Sequence, residues 1–532
     1  MKKIILLVLL ACPVLLFGQV KFSNEFSITT SGTPYTDVPD RLREYFSDGK
    51  GKVISFKTLD EKITLQLFDS ETMKELNKKE YTDFPKDFRQ EKILKTSDKL
   101  FYFYSAPNKS KGTSIYYREV DLTNGTFLPT KLLFDVTGKV TFFQFLESLD
   151  KTKLLIDYRR APVNKNDELN YDVLGFYSFN MALEKNAGAE IKMPYTEKIM
   201  KNVAFAIGNS GTIYMLSLLT NDSHYELSEI TGNSISKTSK LNLDTSFTKL
   251  EYQELRLTEH TDGNLVCIGY YNSVRERKMS VGGSVGIGAG ANSSTISSTS
   301  VLPVNGILRF KFSLTGNIIE KNTYPFSLSL INQYESERAQ RANTKEAVKV
   351  NKSAIDDLKL LHVLNDETGT VIIGEQTYFR FQKTPDGFPQ IQFYKSDVVM
   401  TKIDITGKLL WMIKLPKTQI GIMGTYSIGM KYIPNGAYSY VVFMDNKKNV
   451  DITKESTPHD YIDGFEGYLS AYKINMSSGD YSRQTIVDIK DINGLSIHKL
   501  SVSEMVNVSD RAYLLEGEVK QKNNLLLKLQ LR

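Results

Sequence analysis

Few residues of this 532-residue chain have the type and spacing to do chemistry, and each group that does has a plainer reading. Gly282-Gly283-Ser284-Val285-Gly286 has the spacing of a nucleophile elbow, in which a strained strand-to-helix turn exposes a serine for acyl transfer. That device needs a strand before it, a helix after it, and histidine and acid partners. This copy sits inside a run of Gly, Ser, Ala, Val, Ile and Thr and reads as coincidence. Gly286-Ile287-Gly288-Ala289-Gly290-Ala291 matches a dinucleotide-binding pattern, yet no βαβ unit surrounds it and no helix follows to hold a pyrophosphate. His224, His260, His362, His459 and His498 are far apart and form none of the i,i+2 or i,i+4 pairs common in zinc sites. His459-Asp460 beside Asp463-Gly464 comes nearest to a divalent-metal cluster, and its polar context reads as a solvated loop between strands. Asn164-Lys165-Asn166-Asp167-Glu168 and Asp445-Asn446-Lys447-Lys448-Asn449 are turn formers, where Asn and Asp are favoured for backbone reasons. Cys267, within Leu265-Val266-Cys267-Ile268-Gly269-Tyr270, reads as a small buried hydrophobe of a strand. No catalytic, cofactor-binding or metal-ligating residue is assigned, and no cofactor is expected. A carboxylate pair for glycoside hydrolysis stays open, because a ring-shaped fold assembles such pairs from remote segments. Tyr270, Tyr271, Tyr378 and Tyr394 are the candidates for stacking on a sugar, and each also reads as sheet packing.

The elements that position these residues repeat. The clearest copy is Met400-Thr401-Lys402-Ile403-Asp404-Ile405-Thr406-Gly407-Lys408-Leu409-Leu410-Trp411: an alternating strand, a turn headed by Asp and closed by Gly, and a second strand. Variants are headed by Asp69, Asp121, Asn180, Thr231, Ser313 and Asn475. Successive heads lie 52, 59, 51, 82, 91 and 71 residues apart, and the shorter intervals suit one four-stranded propeller blade. Each turn follows another strand, such as Leu100-Phe101-Tyr102-Phe103-Tyr104 or Tyr440-Val441-Val442-Phe443. The expectation is an all-β fold, a single β-propeller of about seven blades (six to eight) spanning residues 19–532. Two insertions lengthen the rhythm: a flexible Gly/Ser loop at 280–300 and a helical segment at 327–361, where Glu337, Arg341 and Lys345 stand four residues apart. Asn524 to Arg532 reads as a final strand that closes the ring on the sheet of Val53–Phe56 and Ile63–Leu67. Trp411, the only tryptophan, reads as core between blades.

Residues 1–18 have the form of a signal peptide: Lys2 and Lys3, an apolar run from Ile4 to Phe17, then Gly18. Leu9-Leu10-Ala11-Cys12 loosely resembles a lipobox, so lipid anchoring through Cys12 is the alternative, although the residues after it stay apolar. Only Cys267 remains after cleavage, so an internal disulfide is excluded. The expected location is periplasmic or extracellular. No later apolar run reaches the roughly 20 residues of a membrane-spanning helix, which leaves peripheral outer-membrane association open. Net charge is +6 over the whole chain, and its basic runs contain acids, which excludes a nucleic-acid partner.

Asp262 to Tyr271, Val371 to Gln376 and Lys402 to Trp411 resemble segments of uncharacterised exported β-propeller-like proteins of Gram-negative bacteria. Tyr81-Thr82-Asp83-Phe84-Pro85, leading into Phe101 to Tyr104, fits the same group. The resemblance covers most of the chain, implies the fold and the export, and brings no catalytic residues with it. The expected role is a non-catalytic binding or scaffold protein that engages a protein or glycan. A glycoside hydrolase or polysaccharide lyase with acids at the central channel is the alternative, and a structural part of an outer-membrane assembly the third reading.

Overall fold

The computed structural model describes residues 20–532 apart from 32, 161–169, 197, 222–223, 242, 244–246, 248–249, 274–284, 288–293, 297–302, 314–315, 351–352, 384–388, 422–427 and 520–522. The leader at 1–18, Cys12, Asn164 to Glu168 and most of the Gly/Ser segment lie outside the described residues. Within that last segment, Val285–Ile287 and Ser294–Ile296 pair as a short hairpin.

Eight blades of antiparallel strands follow one another along the chain, and in the first seven the blade strands pair in sequence order. Blade 1 is Leu42–Ser47, Lys52–Leu59, Lys62–Asp69 and Glu75–Tyr81. Blade 6, the longest, is Leu358–Asp366, Gly369–Lys383, Pro389–Asp404 and Leu409–Leu415. Blade 7 is Met430–Asn435, Tyr438–Asp445, Tyr468–Asn475 and Tyr481–Asp488. First strands of neighbouring blades approach one another (Val140–Glu147 with Met200–Ile207, and Met200–Ile207 with Glu251–Glu259), so the first strands line the axis.

Burial explains the composition of each strand. The second strand of a blade packs against both neighbouring blades and is mostly apolar, as in Leu100–Pro107, buried at every position but the last. The fourth strand of blade 1, Glu75–Tyr81, faces solvent and is polar, exposed at every position but Tyr81. Among the described residues no apolar cluster spans the centre of the ring. Eight apolar clusters fill the eight gaps between blades. Trp411 stands in one of them with Met400 of blade 6 and Phe443 and Tyr472 of blade 7.

The seven turns that marked the repeat join third to fourth strands in blades 1 to 7. Their heads cap their own backbone: Asp404 Oδ1 accepts from the N–H groups of Thr406 and Lys408, and Asn475 Oδ1 from that of Ser477. The eighth blade has no such turn, because its fourth strand comes from the other end of the chain. Phe26–Thr30 pairs with Asn523–Leu531, Phe26 opposite Leu531 and Thr30 opposite Leu527. The ring therefore closes through the last strand, but its partner is not Val53–Phe56 or Ile63–Leu67. Those strands already pair with each other and with the rest of blade 1, which leaves no edge at their place in the sheet.

Strand alternation also sorts the connections by face. Second-to-third and fourth-to-next-first connections must emerge on the same face of the ring. That face carries the segment between Asn272 and Gly306, the segment between Pro325 and Leu358, the overhanging hairpin of blade 6 and the segment between Asp445 and Tyr468. The Pro325–Leu358 segment holds helices α1 (Leu328–Asn332) and α2 (Glu337–Val350). Among the described residues the opposite face carries only short turns, such as 48–51, 70–74 and 405–408.

Candidate functional site on the face of long connections

First strands begin at this face, so their opening residues ring the mouth of the channel. In five consecutive blades the ladder slips there, between Gln90 and Lys92, Val140 and Phe142, Asn202 and Ala204, Gln253 and Arg256, and Leu360 and His362. Such bulges re-aim side chains at barrel and channel rims. Glu254 sits at one of them with a φ of 51°, in the left-handed region. Its carboxylate reaches the next blade, accepting from the Leu360 N–H and meeting Lys359 Nζ at 3.1 Å.

The mouth mixes acids and bases whose burial weakens both. Burial raises the Glu44 pKa; Lys92 offsets this and the nearby Glu504 adds to it. Glu44 Oε1 accepts from Gln90 Nε2 at 2.9 Å, and Gln90 in turn accepts from the Tyr102 hydroxyl. Burial likewise raises Glu504 and Glu91, the latter offset by a hydrogen bond from Ser105 Oγ at 2.6 Å. Burial lowers Lys431 and His362. A rim on which raised acids stand beside lowered bases offers donors and acceptors to a polar ligand without a strong field of one sign.

Two buried ionic networks hold the rim from behind. In blade 6, Glu375 meets Lys417 Nζ at 2.9 Å and Lys395 Nζ at 3.6 Å. Lys417 also donates to the Lys395 carbonyl and to Gln419 Oε1, and Gln419 ties on to blade 7 through the Met444 carbonyl. Between blades 8 and 1, Glu516 accepts from Lys57 Nζ at 2.6 Å, Arg43 Nη1 at 2.5 Å and the Tyr35 hydroxyl at 2.5 Å. Sequence reasoning missed both. The available signal was a charge ending an apolar strand run: Ile372-Ile373-Gly374-Glu375, Leu514-Leu515-Glu516-Gly517 and Phe56-Lys57.

Behind the rim lie two larger hollows. One, of about 580 Å³, lies between blade 5 and the helical segment and is lined by Phe247, Tyr271, Asn305, Phe326, Leu328 and Ala347. The other, of about 610 Å³, runs between blades 6 and 7 beside Tyr334, Trp411 and Tyr481.

The residues singled out by type are dispersed. His224 pairs with Glu226 in blade 4 at 3.1 Å, His260 lies buried in a blade 5 turn beside Asp262, and His362 stands on the first strand of blade 6. His459 accepts from Asn449 through its carbonyl, and His498 donates its N–H to Glu518. No group of three His, Cys, Asp or Glu among the described residues is arranged to hold a metal. Asp445 does more than start a turn: buried, it accepts from Arg483 and from Asn449 Nδ2. Cys267 is fully buried, which pushes its thiol up to about 12. Tyr270 and Tyr271 belong to the core, whereas Tyr378 and Tyr394 stack at 4.9 Å on the overhanging hairpin with Arg380 over both rings.

No family model matches this chain, and no curated protein does. Among solved structures it is similar to the WD40 domain of SCAP from fission yeast, at 9% identity over 96% of this chain and 99% of that one, with a TM-score of 0.38. It is also similar to prolyl oligopeptidase B from Galerina marginata, at 10% identity over 93% of this chain and 55% of that one, TM-score 0.35. A third is the exo-β-1,3-galactanase 1,3Gal43A from Clostridium thermocellum, at 8% identity over 82% and 92% of the two chains, TM-score 0.29. Likeness at this level transfers no activity. The propeller assignment stands on the sheet order, the ring closure and the interblade clusters.

Proposed function

We propose that the protein is an exported, non-catalytic binding propeller that engages a protein or glycan partner with the face of its long connections. The observation that carries this reading is the segregation of those connections. Every long one emerges on one face, and the turns opposite are short and capped by their own Asp and Asn side chains. Loops on a rigid scaffold are where binding residues concentrate. The mixed, mutually compensated charge of the rim suits a polar partner better than a polyanion.

The test is affinity capture of tagged residues 19–532 from membrane and periplasmic fractions, read by mass spectrometry. A variant in which residues 336–350 are replaced by a short Gly-Ser linker is run beside it. The expected result is a partner held by the intact chain and lost by the variant, with far-UV circular dichroism unchanged. Capture of nothing, together with polysaccharide cleavage by the purified protein, overturns the reading. That outcome favours the glycosidase alternative, which Glu44 and Glu504 support: both carboxyls are biased towards the acid form at one rim, as a general acid requires.

A further inference from the structure

The outermost strand of a blade leaves a row of backbone N–H and C=O groups unpaired, a template for another chain unless charge guards it. Most blades here are guarded. Glu75–Tyr81 carries Glu75, Lys78, Lys79 and Glu80, and Ser234–Lys240 carries Lys237 and Lys240. Leu409–Leu415 of blade 6 differs. Its one charged residue, Lys414, turns inward to Asp397 at 2.9 Å, Glu335 at 3.0 Å and the carbonyls of Ile331 and Gln333. Leu409 and Leu410 are 36% and 43% exposed.

One edge of this strand pairs with Pro389–Asp404, and the other borders the 610 Å³ groove between blades 6 and 7. The Lys414 carbonyl accepts from the Tyr481 hydroxyl at 3.2 Å and so points into the groove. In an antiparallel strand the N–H and C=O of one residue share a side, and alternate residues share it too. Met412 therefore aims both its backbone groups into the groove, where Trp411 and Tyr481 also stand. The groove ends differ in charge. Exposed Lys454 stands at the end toward the long connections, where its carbonyl accepts from the Tyr334 N–H, and exposed Asp480 stands in the turn at the opposite end.

We propose that this groove binds an extended peptide segment of a protein partner, added to blade 6 as a fifth strand. The segment places apolar side chains against Trp411 and Tyr481, an acidic residue against Lys454 and a basic residue against Asp480. This rests on the binding reading above and names the class of partner: Gln333 and Tyr334 of the helical segment form one wall, so the groove continues the proposed face. Backbone pairing supplies affinity and the alternate side chains supply selectivity.

A random dodecapeptide phage library is selected on the purified mature chain, and the selected peptides are synthesised and titrated by Trp411 fluorescence. Peptides carrying the stated charges at the two ends are expected. Met412→Pro removes the outward N–H while sparing the ladder, since proline is tolerated on an edge whose N–H faces away from the sheet. It is expected to weaken binding at least about tenfold, with Met412→Leu within about twofold, as one lost strand hydrogen bond to a bound partner implies. Should Met412→Pro not fold, Lys454→Glu decides: it is expected to reverse the preference at that end of the peptide. No selected peptide, binding unchanged in Met412→Pro, or a preference unmoved by Lys454→Glu overturns the inference. Partner capture that survives such a result leaves the binding reading standing.

Discussion

Charged residues within the apolar strands set the pH behaviour. Glu516 is fully buried; burial alone would raise its pKa, and Lys57 and Arg43 overcome that and hold it down at about 2. A folded value below the unfolded one stabilises the native state above the ordinary glutamate range, and that stability drains away as pH falls towards 2. Glu516→Gln takes from buried Lys57 its carboxylate partner and leaves Arg43 with Asp40 alone; it is expected to cost about 3–5 kcal/mol, seen as a drop in thermal midpoint at pH 7 that narrows towards pH 3. Asp157 is the opposite case. Burial raises its pKa well above the usual carboxylate range, and its Oδ1 has no hydrogen-bond partner. The folded state therefore binds that proton more tightly than the unfolded chain does, and stability falls as pH rises from about 4. Asp157→Asn is expected to flatten that slope between pH 4 and 8; an unchanged slope in urea titrations at the two pH values refutes it. Cys267, buried with a raised pKa, is expected to resist thiol reagents until the chain unfolds. The burial of Cys267 was legible from its apolar strand, whereas Glu516 and Asp157 were not, because desolvation of a charge depends on which blade packs against which, and spacing does not record that.

At the level of the element, the turns were legible and the closure was not. Asp69, Asp121, Asn180, Asp404 and Asn475 announce themselves because the capping is local: the side chain bonds its own next few N–H groups. Gly479 closes one such turn at a φ of 77°, and a Cβ there would meet the Trp411 ring at 2.7 Å. Gly479→Ala is expected to cost roughly 1–3 kcal/mol and to shift Trp411 emission in the native state. Closure depends on a strand with no repeat signature, Phe26–Thr30, laid against Leu527, Leu529 and Leu531. Removing residues 20–31 uncovers one edge of that last strand. The expected result is a loss of several kcal/mol in chemical denaturation and concentration-dependent association by light scattering. Equal stability with and without the segment refutes the closure.

The whole molecule distributes its burial around a ring, with an apolar cluster at every interface and long connections on one face. Eight blades fall within the expected six to eight, and the expected number was nearer seven for a structural reason: seven internal third-to-fourth turns count seven blades, while the eighth borrows its fourth strand. By itself the sequence determined the class of fold, since period-2 alternation, turn capping and a recurring interval are local properties of the chain. The nucleophile-elbow and dinucleotide patterns between Gly282 and Ala291 read as coincidence for want of flanking elements, and most of that stretch lies outside the described residues. Only the tertiary structure decided which strands close the ring, which charges lose their water, which connections share a face and which outer strand borders a groove. Those follow from contacts between segments hundreds of residues apart, such as Lys57 with Glu516 and Phe26 with Leu531, for which the intervening sequence carries no code.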